Sequence, residues 1–178
     1  MEWIGIAAVG AEFQLGLDGG MPWKNTHVEE LKEDQQRFKA LTTGHICLMG
    51  SKTYDSLPYP TLSNRTLVVL TSKTPKNMQP RLMLRDVYFW NPSEDCTQNV
   101  IALDAFFGYK QNVFVCGGAS VYEQYMPFCN RVELTEIPYE GPADVYFPQS
   151  NLQNFSRHIT WKGKTFAEYH QYYWNPAA

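Results

Sequence analysis

Asp34 is the residue in this sequence whose position asks for a chemical explanation. It follows Leu31 by three residues and precedes Phe38 and Leu41 by four and seven, so a helix through this stretch turns its carboxylate onto the apolar face. A carboxylate there loses hydration, and its pKa rises unless a donor or a cation compensates. Such a group can hold and release a proton beside a buried ligand. It can also be a structural partner for an amide or an arginine, and the helix alone favours that use. Glu29, Glu30 and Glu33 do not sit among the apolar positions and read as solvated surface.

Two glycine junctions form the second constellation. Gly117-Gly118 closes the apolar run VFVC and opens a helix at Ala119-Ser120-Val121. A strand that turns through glycine into a helix start presents free amides and a positive dipole end, which suits a phosphate. Met49-Gly50-Ser51-Lys52-Thr53 repeats the arrangement. Its GSKT is not a P-loop, because Gly44 lies at the wrong distance and Ser51 intervenes before Lys52. Nor is there a GxGxxG fingerprint. Two such junctions in one sheet suit an elongated, phosphate-bearing ligand, although either alone is as well read as tight helix–strand packing. Thr71-Ser72-Lys73 follows the run TLVVLT, where open α/β sheets bind ligands. Arg65, just before that run, could hold a carboxylate bidentately. Ordinary loop polarity is the alternative for each. Finally, GLDGGMPWK (16–24) places the large indole of Trp23 behind a glycine-rich loop.

The elements that must position these residues are strands alternating with helices. Runs of strand length occur at 3–9, 45–50, 66–71, 113–117 and 132–137, several of them continuously apolar, as in a largely parallel sheet covered on both faces. Thr26-His-Val-Glu29 reads as a capping box that starts the helix carrying Asp34. Further helices are expected after Gly50, over 102–109 and after Gly118. The aromatic tail 165–174 alternates like an antiparallel strand, and 72–99 and 138–157 read as loops. At 178 residues, with no linker or repeat, the chain is expected to be one α/β domain.

Composition narrows the function classes. The formal net charge is −3 and no basic stripe is present, which argues against nucleic-acid binding. No apolar run has the length of a membrane helix, and no signal-peptide pattern opens the chain. Cys47, Cys96, Cys116 and Cys129 show no CxxC spacing, and three of them lie in or beside apolar runs. A reduced, cytoplasmic, non-metal protein is expected.

Taken together, IAAV (6–9), LGLDGGMPW (15–23), FKALTTG (38–44), MGSKTYDSL (49–57), NRTLVVLTS (64–72), VCGGASVYEQYMP (115–127), LTEI (134–137) and ADVYFP (143–148) resemble dihydrofolate reductases, in that family's order and near its spacing. The resemblance implies a single dihydrofolate-reductase-like domain, with a mostly parallel central sheet, flanking helices and a C-terminal antiparallel hairpin. It implies NADPH-dependent reduction of 7,8-dihydrofolate to tetrahydrofolate. Asp34 would match the family's ionisable group, which anchors the pterin and favours protonation of N5, and Thr135 the threonine that hydrogen-bonds it. GLDGGMPW would be the active-site loop, with Met21 and Trp23 over the ligands. Ile6, Ala8, Phe38, Ser56, Leu57, Leu62, Cys116 and Tyr122 would line the substrate site, and Arg65 would hold the glutamate α-carboxylate. Ala8, Leu15, Gly16, Gly19, Gly20, Gly50, Ser51, Lys52, Thr53, Thr71, Ser72, Lys73, Gly117, Gly118, Ala119, Ser120, Val121 and Tyr122 would hold NADPH, with a cis peptide at Gly117-Gly118.

Several positions depart from the family pattern. Ser51 stands where many members carry an arginine for the 2′-phosphate, leaving Lys52, Ser72 and Lys73 to select NADPH. The segment between Trp23 and Asp34 is several residues longer than usual, which makes Glu30 the second candidate carboxylate. Gln35 and Cys116 replace apolar residues, and Asn64 replaces a glycine where a left-handed backbone is tolerated. Antifolate inhibitors and a monomeric state are expected with the family. The readings that compete are a pyrimidine reductase of the same fold and a catalytically idle relative.

Overall fold

The computed structural model describes residues 1–72 and 85–177. Its centre is an eight-stranded sheet in the order β5-β4-β3-β6-β1-β7-β10-β9. The strands are β1 (Trp3–Val9), β3 (Ile46–Gly50), β4 (Thr66–Leu70), β5 (Val87–Trp90), β6 (Val113–Val115), β7 (Arg131–Glu136), β9 (Phe155–Lys162) and β10 (Glu168–Trp174). From β5 to β7 all neighbours are parallel, and β10 and β9 then add antiparallel. The expected mostly parallel sheet with a closing hairpin is therefore present. A separate ribbon pairs β2 (Gln14–Gly16) with β8 (Val145–Tyr146).

Strand alternation divides the core into two layers. On one face, Ile4, Ile6 and Phe114 receive Phe38 and Leu41 of α1 (Val28–Thr42), while Cys47, Met49, Leu67 and Val69 pack with Tyr54 of α2 (Ser51–Asp55). On the other face, Ala7, Val115 and Leu134 pack with Leu103 of α3 (Cys96–Phe107) and Val121, Tyr122 and Tyr125 of α4 (Ala119–Tyr125). No helix among the described residues is long and apolar enough to cross a membrane.

Three local expectations are corrected. The helix carrying Asp34 begins at Val28 rather than at a Thr26 capping box, and its N-cap His27 makes no side-chain cap bond. The Thr26 and His27 amides both donate to the Trp23 carbonyl, and the Thr26 hydroxyl points at His27 Nδ1 and the same carbonyl, so the turn after Trp23 uses the groups a cap would need. The helix expected over 102–109 begins six residues earlier, where Asp95 caps it by accepting from the Thr97 amide. Its polar first turn (Cys-Thr-Gln-Asn) hid that start. The stretches read as loops also hold β5, β8 and the 3₁₀ turn Gln149–Leu152. These are short peripheral pieces, stabilised by neighbours distant in sequence rather than by their own pattern.

Candidate active site

Asp34 lies on the inner side of α1, above the end of β7. Thr135 is buried on β7 opposite Ala8 of β1, and its hydroxyl donates to the Asp34 carboxylate. Burial pushes this carboxyl above its ordinary range, against the Thr135 hydrogen bond and the charge of Arg37, both of which pull it down. Among the described residues, Asp34 has no further hydrogen-bond donor from the protein. Glu30, one turn earlier, makes no such bond to Thr135.

Trp23 is fully buried, packed with Ala8, Leu31, Ile137, Tyr139, Ala167 and Tyr169. The indole is thus part of the core, and its buried Nε1 has no hydrogen-bond partner among the described residues. The glycines before it serve a defined turn. Asp18 and Gly19 both have positive φ, and Leu17 and Gly20 exchange both backbone bonds across them, the Asp-Gly chemistry of a type I′ turn. Asp144 fastens this turn to β8 by accepting from the Asp18 amide. Met21 projects outward.

Phe38 joins two clusters, one with Ile6 and the other with Leu57 and Leu62, and Cys116 belongs to both. Arg65 lies beside this patch. Its guanidinium sits 5.9 Å from the Phe38 ring and donates to the Ser63 carbonyl and, at 3.4 Å, to the Thr42 hydroxyl. Asn64 takes the left-handed φ of 57° expected of it. Cys47 and Cys116 form a thiol pair within the patch. The contact with Cys47 and burial push the Cys116 thiol well up, so it stays protonated.

The two glycine junctions stand side by side. β3 and β6 are neighbours, and the Gly50 amide donates to the Gly117 carbonyl at 2.9 Å. The Gly117-Gly118 peptide is cis, and Gly117 has a φ of 107°. A Cβ at Gly117 would stand 3.1 Å from the Tyr122 ring, whose hydroxyl donates to the Ile6 carbonyl. Val121 packs over Gly50, and Thr53 faces Gly118. Ser51, Lys52, Ser56, Ser72 and Ser120 lie exposed around this end of the sheet, with Thr71 and Ala119 half-buried. Gly16, Gly19 and Gly20 belong to the β2 turn, and Leu15 packs into the core on the α4 face. Lys73 lies outside the described residues. Among the described residues no group of His, Cys, Asp or Glu is placed to hold a metal ion.

Two features escaped the sequence reading. Glu33, read as solvated surface, accepts from the Lys164 and Thr165 amides, both at 2.9 Å, and from the Tyr169 hydroxyl. It clamps α1 to the β9–β10 turn. Glu133 is buried on the same face of β7 as Thr135, and it accepts from Arg37 at 2.7 Å, Arg131 at 3.2 Å and Gln171 at 3.0 Å. The alternation Val-Glu-Leu-Thr was the available signal, because a polar residue on an interior strand needs partners.

Comparison with known proteins agrees with this architecture. The dihydrofolate reductase family model matches residues 3–174. A dihydrofolate reductase of Bacillus subtilis is 31% identical over 153 residues, covering 84% of this chain and 77% of that protein. A dihydromethanopterin reductase of Methylorubrum extorquens is 31% identical, covering 80% and 87%. A bifunctional dihydrofolate reductase-thymidylate synthase of Paramecium tetraurelia is 33% identical, and the chain spans only 30% of that longer protein. The structure of a dihydrofolate reductase from Enterococcus faecalis, complexed with NADP(H) and RAB-propyl, superimposes with a TM-score of 0.77 over 98% of this chain and 96% of that one, at 22% identity. Because the family model matches nearly the whole chain and the sheet has the same architecture, this chain belongs to the dihydrofolate reductase family.

Proposed function

We propose that the chain reduces 7,8-dihydrofolate to 5,6,7,8-tetrahydrofolate with NADPH, Asp34 managing the proton. The observation that carries the reading is the placement of Asp34, a half-buried carboxylate on the inner face of α1 beside Thr135, with room for a further donor and its proton affinity raised by burial. The amino group of a pterin would supply the missing donor. Thr135 keeps the carboxylate oriented, and the proton Asp34 holds would be delivered toward N5, favouring the cationic ring that accepts a hydride. Trp23 excludes bulk water from this end of the site and offers Nε1 as a donor to the water that relays the proton. Phe38, Ile6, Leu57 and Leu62 would hold the apolar faces of the substrate, and Arg65 its terminal carboxylate.

The glycine junctions fit the cofactor. A side chain at Gly117 would press on Tyr122, and Gly50 leaves the strand end beside it as bare backbone for a ligand to approach. Thr53, Ser120 and Val121, with Lys52 and Ser72 outside them, would hold its phosphates. NADPH, when bound, supplies the hydride that C6 accepts.

The test is the reduced-nicotinamide absorbance of a mixture of protein, NADPH and dihydrofolate. Loss of absorbance only when all three are present is expected, and a folded protein without turnover would leave the catalytically idle reading. A second substrate is favoured by two observations. The Methylorubrum relative is named for a different dihydropterin, and Arg65 already donates to Ser63 and Thr42. Faster turnover of a dihydropterin lacking the benzoylglutamate tail would favour that reading.

A further inference from the structure

We propose that the buried Arg37–Glu133 ion pair is a positioning device that sets the charge balance around Asp34. The inference rests on Asp34 being the site carboxylate. Arg37 follows Asp34 by three residues, so both lie on the same side of α1. Its Nη2 donates to Glu133 Oε2 at 2.7 Å, and its guanidinium lies 4.8 Å from the Tyr169 ring and 5.5 Å from that of Trp161. Glu133 lies two residues before Thr135 and on the same face of β7, so the strand that orients the carboxylate also anchors the cation beside it.

An ion pair that buries Glu133 fully and leaves Arg37 partly exposed is a costly way to pack a helix against a sheet, since apolar residues of similar volume do so at least as well. Here the pair places a fixed positive charge behind a carboxylate that burial drives toward protonation, and a fixed negative charge one step further away. The groups that act on Asp34 or feel its charge are Arg37 from α1, Thr135 from β7, Tyr169 from β10 and Tyr122 from α4, and Glu133 reaches it only through Arg37. Arg131 binds the other oxygen of Glu133 and also pairs with Glu2, and Lys32 is exposed and pairs with Glu29, so Arg37 is the cation that acts on Asp34. The effect of Arg37 on Asp34 is to favour the ionised form.

The charges predict a sign pattern that mere disruption of packing would not give. Removing the cation in Arg37→Gln should move the Asp34 titration midpoint to higher pH. Glu133→Gln frees Arg37 of its counter-charge and should move the midpoint to lower pH. Arg37→Gln/Glu133→Gln removes a net-neutral pair and should return it near the starting value, and Arg37→Lys should hold it there. The midpoint is read by carbon-13 nuclear magnetic resonance of the aspartate carboxyls, with Asp34 assigned by Asp34→Asn, and the pH profile of turnover should shift in the same order. Where a single variant with a stranded charge unfolds, the swapped pair Arg37→Glu/Glu133→Arg keeps opposite charges facing each other but puts the negative one on the helix beside Asp34, and should move the midpoint to higher pH. Midpoints that stay fixed, or single variants that shift in one direction, would overturn the device. Opposed carboxyl shifts in a protein that turns over no dihydropterin would leave the device standing and overturn the proposed function.

Discussion

Glu33 and Asp34 are consecutive residues of one helix, yet the regions they enter treat a carboxylate in opposite ways. Glu33 meets the turn between β9 and β10. Burial there pushes its carboxyl up, but the Tyr169 hydroxyl and the Thr165 and Lys164 amides outweigh it and hold the group below its ordinary value. Asp34 meets the end of β7, where burial wins against one threonine and a neighbouring arginine. Two things decide: Asp34 is much the more enclosed of the two carboxyls, and fewer donors reach it. A carboxylate offers about four acceptor positions. Glu33 uses three within the protein, whereas Asp34 is left able to accept from something else. The first carboxylate builds the fold, and the second is available for chemistry.

The largest effect that this contrast predicts is on turnover. Asp34→Asn keeps the shape but cannot hold the proton, and should lower dihydrofolate turnover by at least about 100-fold at neutral pH. Its stability should move the other way. The folded pKa of Asp34 is raised, so its ionised form in the folded, ligand-free protein is a cost that grows as pH rises through that value. Asp34→Asn should therefore raise the urea midpoint at neutral pH, with the gain vanishing below the ordinary aspartate value of 3.8. A less stable Asn variant at neutral pH would mean that Asp34, like Glu33, is a structural partner.

Glu33→Gln should show the reverse pattern, with little loss of chemistry and a clear loss of stability. Breaking charge-assisted bonds to two amides and a phenol should cost about 1–3 kcal/mol in urea unfolding at neutral pH. Because the folded pKa is depressed, the contribution is present above the ordinary value of 4.5 and is lost as pH falls through the lower folded value. The difference between wild type and Glu33→Gln should shrink over that acid window. A difference that is constant with pH would show that the charge is not what the clamp uses.

The two carboxylates also mark what was legible in the sequence. Asp34 could be found because helical period relates it to Leu31, Phe38 and Leu41, a relation within one element. The parallel strands and the glycine junctions were legible for the same reason, since apolar run and breaker are adjacent in the chain. Glu33 was misread because its partners lie 131 to 136 residues away, in a turn whose pairing with α1 leaves no local trace. Arg37 and Glu133 were missed likewise, at a separation of 96 residues. The short pieces β2, β5 and β8 exist through pairing with remote segments. Period predicts which face a residue occupies, not which donors await it there.

A smaller effect should come from the turn itself. Gly163 lies so close beneath the clamp that a Cβ there would collide with Glu33 Oε1 and stand 2.8 Å from the Tyr169 hydroxyl. Gly163→Ala should displace the Glu33 carboxylate and cost about 1–2 kcal/mol, most of it shared with Glu33. In a Glu33→Ala background the space is open, and the same substitution should cost much less. Full additivity would mean that the alanine strains the turn independently of the clamp.

The smallest effect, and the sharpest test of whether the two regions are separate, is Tyr169→Phe. Tyr169 touches both, since its hydroxyl donates to Glu33 while its ring lies under Arg37. The phenylalanine ring keeps the stacking surface for the guanidinium and removes only one of the three donors to Glu33. The expected cost is about 1 kcal/mol, because the two amides still bind the carboxylate. The Glu33 titration should rise toward its ordinary value, while the Asp34 midpoint and the pH profile of turnover stay in place, since the charge of Arg37 has not moved. If the Asp34 midpoint moved with that of Glu33, the phenol would be coupling two carboxylates that act as one, and the division between a structural and a chemical region of the helix would fail.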